Sequence, residues 1–169
     1  MTTTHPCMTM LRRGAFLTVS VAATLICAPL AAAPGKTSES VVKVTAKADK
    51  PDADGKQTVT ITLAMDKDWH TYANPVGVED LEEAQTKVTI SAKVKPTDVK
   101  IDYPKGKLVK DTVIGNYSIY ENKVTIKATV RRAKGDTSPL EVSVKIQACI
   151  DTPEQRKCLM PSTVKVTVP

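Results

Sequence analysis

The chain has 169 residues, a formal net charge of +6 and only 4% aromatic residues. That length suits one domain with a single sizeable core. Its lysines alternate along extended segments and stacking aromatics are scarce, which argues against a nucleic-acid groove; beyond the first 33 residues nothing approaches the roughly 20 apolar residues of a membrane span.

The chain opens with a secretory leader. Arg12 and Arg13 make a short basic region, and "GAFLTVSVAATLICAPLAAA" adds an apolar run ending in small residues. Cleavage is expected after Ala33, with Gly35 the other candidate, so the mature protein is expected in the periplasm or outside the cell. Residues 34–39, rich in lysine and serine, read as a flexible start, and 40–169 as the folded domain.

Seven segments then alternate apolar residues with Lys, Thr or Ser and are rich in β-branched side chains: 40–48, 57–65, 86–94, 98–104, 123–132, 140–149 and 162–169. Such alternation marks strands with one buried face. Turn signals such as "KPDADGK" and "RAKGDTSP" separate them. Seven short strands at this spacing predict an all-β, immunoglobulin-like antiparallel β-sandwich. The acidic "GVEDLEEAQ" (77–85) predicts a single helical turn.

Two stretches, 66–80 and 107–122, break the alternation. They hold the only Trp and three of the four Tyr. Long aromatic connections on a sandwich are where function is expected.

Cysteine usage narrows the chemistry. Cys7 and Cys27 fall in the leader, leaving Cys149 and Cys158 in an oxidising compartment, where one intramolecular disulfide is the default. Counted along 140–149, Cys149 falls on the parity opposite Leu140, Val142, Val144 and Ile146, and so points away from the main core. Arg156 and Lys157 precede Cys158 and would favour its thiolate, while Asp151 and Glu154 oppose this if close. Three readings stay open. A structural staple closing about ten residues would stabilise the fold by roughly 2–3 kcal/mol in the chain-entropy model. A redox dithiol would cycle. A metal site is weaker, because His70 is the one histidine after the leader; Cys149, Cys158, His70 and Met65 or Met160 would make a Cu(I) set.

Together these residues resemble the N-terminal periplasmic domain of the thiol:disulfide interchange protein DsbD. The likeness runs from about Ser40 to Val168. Its landmarks are "WHTYANPVG", the "YP" at 103–104, "KDTVIGNYSIYENKVTI", and a closing "C…C-x-x-P" formed by Cys149, Cys158 and Pro161. The resemblance implies an immunoglobulin-like sandwich whose cysteine pair is redox-active, taking electrons from a membrane thiol reductase and reducing thioredoxin-like periplasmic proteins. By position, Cys158 would be the attacking sulfur and Cys149 the resolving one. A cap loop would span Asp111, Thr112, Val113, Ile114 and Gly115, and Trp69, Tyr72 and Tyr120 would lie near the pair. No cofactor is needed, since exchange proceeds through the sulfurs.

There are departures. Eight residues lie between the cysteines, where better-known members of the family have five, and Val113 and Ile114 replace the bulky rings of the cap. The sequence ends at Pro169 without a membrane or thioredoxin-like domain, so a stand-alone exchange domain is expected. The rival reading is a non-catalytic binding module with an inert disulfide.

Overall fold

The computed structural model describes residues 35–169; the leader expected over 1–33 lies outside them. Among the described residues there are twelve strands: β1 (Val42–Ala48), β2 (Lys56–Met65), β3 (Trp69–Tyr72), β4 (Lys87–Ala92), β5 (Thr97–Asp102), β6 (Lys107–Val109), β7 (Tyr117–Glu121), β8 (Lys123–Arg131), β9 (Leu140–Ile146), β10 (Ala148–Asp151), β11 (Arg156–Cys158) and β12 (Ser162–Val168). The acidic segment, expected as one helical turn, forms a 3₁₀ helix of about two turns at Glu79–Ala84.

The seven strands read from alternation are β1, β2, β4, β5, β8, β9 and β12, and they build two antiparallel sheets ordered β1-β2-β8-β5 and β12-β9-β4. Their inward residues form the main core. Val59, Ile61 and Leu63 of β2 and Ile126, Ala128 and Val130 of β8 meet Leu140, Val142, Val144 and Ile146 of β9, all of them fully buried. Each large aliphatic side chain so buried favours folding by about 1.5–3 kcal/mol. The outward positions carry the Lys and Thr of the pattern, for example Thr60 and Lys127 paired across β2 and β8. This is the all-β, immunoglobulin-like sandwich expected from the sequence.

The two stretches that break the alternation are not open loops. They supply β3, β6 and β7, which join β10 and β11 in a third, five-stranded sheet ordered β11-β10-β3-β7-β6. Alternation failed there for a physical reason: these strands are three to five residues long, and in β3 the adjacent His70 and Thr71 are both buried. The turn into β6 packs tightly on Ala73, just past β3, because a Cβ at Gly106 would come within 2.6 Å of the Ala73 Cβ.

Residues 34–39, expected as a flexible start, are tied in from Thr37 onward. Thr37 pairs with Met160, and Ser38 is fully buried at the head of a 3₁₀ turn. The Ser38 hydroxyl donates to the Met160 carbonyl at 2.8 Å and accepts from the Ala148 N–H at 2.9 Å. One small side chain thus pins both flanks of the hairpin that carries the cysteines.

Candidate functional site

The segment read as one strand over 140–149 is broken at Gln147. β9 ends at Ile146 within the three-stranded sheet, and β10 begins at Ala148 within the five-stranded one. Changing sheets resets the inside–outside count, so Ala148, Cys149 and Ile150 are buried in succession. The break removes the basis of the parity count that had Cys149 pointing away from the core: it lies outside the main core cluster yet is only 4% exposed.

β10 and β11 form the hairpin whose register sets Cys149 opposite Cys158, Ile150 opposite Lys157 and Asp151 opposite Arg156. The cysteines are joined by a disulfide, with Cα atoms 4.0 Å apart. Their environments differ sharply. Cys149 is buried between β11 and β3, whereas Cys158 lies on the outer strand of the sheet and is exposed. The Arg156 guanidinium binds the Asp151 carboxylate at 2.8 Å, which offsets its pull on the Cys158 sulfur.

A groove of about 240 Å³ opens beside the pair, lined by both cysteines together with His70, Tyr72, Tyr117, Asp111 and Ile114 among others. The Tyr72 hydroxyl lies 3.8 Å from the Cys149 sulfur, to which it donates a weak hydrogen bond. Its ring meets Tyr117 edge-on at 5.9 Å and His70 at 6.1 Å. Under this floor lies a small second core of Val76, Tyr117 and Ile119, against which Tyr72, Val78, Leu81 and Val109 pack. Burial pushes the Tyr72 phenol up, helped by Tyr117 and Asp151, so it stays a proton donor well into the alkaline range.

The segment expected as a cap, 111–115, contributes Asp111 and Ile114 to the lining of this groove. The Asp111 carboxylate accepts from the Val113 N–H at 2.7 Å and the Ile114 N–H at 3.0 Å, folding 111–114 into a side-chain-capped turn. Gly115 leaves that turn at φ +95°, a backbone conformation disfavoured for other residues. Asp111 and Ile114 face the cysteine groove; Val113 is 89% exposed, and neither it nor Thr112 lines the groove.

Of the three aromatics expected beside the pair, only Tyr72 is there. Tyr120 is 2% exposed in the main core, and its hydroxyl donates to the Pro104 carbonyl at 2.9 Å. Trp69, opposite Ile150 across β3 and β10, packs on the main core instead of lining the groove. The alternation within β3 and β7 explains both misses: Tyr72 with His70, and Tyr117 with Ile119, face the site, while Trp69 and Tyr120 take the other parity. Sequence reading missed Tyr117, although "YSIYE" carries that period. Of the methionines offered to a copper ion, Met65 is buried in the main core and Met160 is exposed beyond the groove.

Comparison with known proteins fits this geometry. The family model described as "Thiol:disulfide interchange protein DsbD, N-terminal" matches residues 38–168. No curated protein matches the sequence. Among solved structures, the N-terminal periplasmic domain of ScsB from Proteus mirabilis is similar at a TM-score of 0.51 and 16% identity, covering 75% of this chain and 44% of that one. The reduced DsbD N-terminal domain of Neisseria meningitidis gives 0.48 and 16%, covering 76% and 85%. A complex of the DsbD and PilB N-terminal domains from the same organism gives 0.46 and 15%, covering 68% and 75%. Among the described residues no helix is long and apolar enough to cross a membrane.

Proposed function

The chain belongs to the family of N-terminal domains of the thiol:disulfide interchange protein DsbD, and from that membership we propose that it carries reducing equivalents in the periplasm, from a membrane thiol reductase to thioredoxin-like proteins, through Cys149 and Cys158. In the reduced domain the Cys158 thiolate attacks a partner disulfide. One partner sulfur leaves with the electron pair, and a Cys158–partner mixed disulfide forms. Cys149 then attacks the Cys158 sulfur, the partner's second sulfur departs, and the domain is left oxidised while the partner holds two thiols. Attack by the reductase on the exposed sulfur reverses the sequence and reloads the pair.

One observation carries this reading: at a single register position, one cysteine is buried and the other is exposed. An incoming disulfide meets the exposed Cys158 more readily than the 4%-exposed Cys149. That division of access is what an attacking and a resolving cysteine require.

An inert staple is less well supported. The hairpin is already held without the disulfide by the Ser38 contacts, by the Leu159 N–H donating to the Ala148 carbonyl at 2.9 Å, and by pairing of β10 with β3. The test is trapping with an oxidised thioredoxin. Cys149→Ser should accumulate a mixed disulfide through Cys158, and Cys158→Ser should accumulate none; a reversed pattern, or no adduct with either, would refute the assignment.

A further inference from the structure

Four side chains stand in one lateral row across the five-stranded sheet. The register sets Glu121 of β7 opposite His70 of β3, His70 opposite Cys149 of β10, and Cys149 opposite Cys158 of β11. Directly opposed residues of an antiparallel sheet project from the same face with Cβ atoms roughly 4.5–5.5 Å apart. A carboxylate, an imidazole and two sulfurs therefore lie side by side.

From this row we propose that His70 is the base of the resolving step, accepting the Cys149 thiol proton as Cys149 attacks the mixed disulfide on Cys158. This rests on the exchange reading above. Burial of Cys149 favours its neutral thiol, a poor nucleophile, so resolution needs a neighbouring acceptor. The other groups around the groove do not serve. The Tyr72 hydroxyl is nearest but holds its own proton. Asp151 is paired with Arg156 at 2.8 Å, and Glu121 with Lys107 at 2.9 Å. Asp111 is occupied by two backbone N–H groups of its own turn.

The groups facing His70 keep it suited to the task. Burial, the largest influence, lowers its pKa; Glu121 on β7 and Asp151 on β10 oppose that, and Lys107 on β6 assists it. The imidazole is therefore neutral near pH 7, a free acceptor. In the step itself the proton passes from the Cys149 sulfur to a ring nitrogen. The Cys149–Cys158 bond forms, the Cys158–partner bond breaks, and the partner sulfur leaves as thiolate with the electron pair. The imidazolium returns its proton to groove water.

The test uses 5,5′-dithiobis(2-nitrobenzoate), one equivalent per reduced protein, with Cys7→Ser and Cys27→Ser so that only the pair reports. Release of the first nitrothiobenzoate reports attack by Cys158, and release of the second reports resolution by Cys149. His70→Gln should leave the first phase within about twofold and slow the second by about tenfold or more near pH 7, at the low end of what a general base contributes. The gap should narrow as the pH rises, because hydroxide in the groove then takes the thiol proton in place of the imidazole. His70→Ala covers the case where the Gln variant folds poorly, and added imidazole should restore its second phase. A second phase unchanged by either substitution, or slowed equally at every pH without imidazole rescue, would overturn the proposal while leaving the exchange reading intact. Failure of the unsubstituted pair to release a second equivalent would overturn both.

Discussion

Cys149 and Cys158 face one another at one register position of the β10–β11 hairpin, yet the first is 4% exposed and the second lies open on the outer strand. The cause is topological. β10 is flanked on both sides, by β3 and β11, whereas β11 has a neighbour on one side only. The sheet therefore makes two chemically equivalent thiols unequal, and unequal thiols are what directional exchange needs.

The Ser38 hydroxyl binds both flanks of this hairpin from a fully buried position. Ser38→Ala strands the Ala148 N–H and should destabilise the protein by about 1–3 kcal/mol. Urea unfolding of the oxidised and reduced forms would read this out, with the larger loss in the reduced form, where the serine acts without the disulfide. An unchanged midpoint in both would show that the hairpin does not depend on it.

Tyr72 offers its hydroxyl to the Cys149 sulfur at 3.8 Å. Tyr72→Phe removes the hydroxyl in contact with the Cys149 sulfur, and should slow mixed-disulfide resolution roughly 2- to 10-fold, the worth of one modest hydrogen bond. Because burial holds the phenol protonated, the ratio to wild type should stay flat up to about pH 9. Stopped-flow thiol release over that range would check it, and an equal rate for the two proteins would count against the contact.

The turn at 111–114 has its own acid limit. Hydrogen bonds from Ile114 and Val113 hold the Asp111 carboxyl below the usual carboxylate range. A depressed carboxylate contributes order that is present above its unfolded value, near pH 3.9, and is lost as the pH falls through the lower folded value. Amide exchange at Val113 and Ile114 should therefore lose protection in acid below about pH 4, and Asp111→Ala should lose it at neutral pH. Protection independent of both would mean that the turn is held some other way.

The strands of the four-stranded and three-stranded sheets were legible because each has one face in the core and one in water, so that period two is written into "QTVTITLAM" and "LEVSVKIQAC". The five-stranded sheet was not legible. Its strands are short, and β3 is covered on both sides, so His70 and Thr71 carry no alternation. The cysteine pair was read from cysteine counting and the segment 111–115 from the resemblance, while Trp69 and Tyr120 were misplaced because nearness in sequence to a site motif does not fix the facing of a side chain. The break at Gln147, which sets the burial of Cys149, has no strong turn residue to announce it.

His70 couples the site to stability. Its pKa is lowered mainly by burial, so between that value and the unfolded value near 6.5 the unfolded chain binds a proton that the folded one refuses. Stability should therefore fall as the pH drops below about 6.5, and His70→Gln should flatten that part of the profile. Denaturation midpoints from about pH 7.5 to 5 would show the difference; parallel profiles would contradict the buried, neutral imidazole.

The central claim, a cysteine pair that cycles, is tested most directly by its reduction potential. The protein would be equilibrated in glutathione and dithiothreitol buffers while the fold is followed by circular dichroism. The account predicts a potential less negative than about −300 mV with the β-sandwich intact in both states. A value well below that, or unfolding on reduction, would make Cys149–Cys158 a structural staple and contradict it.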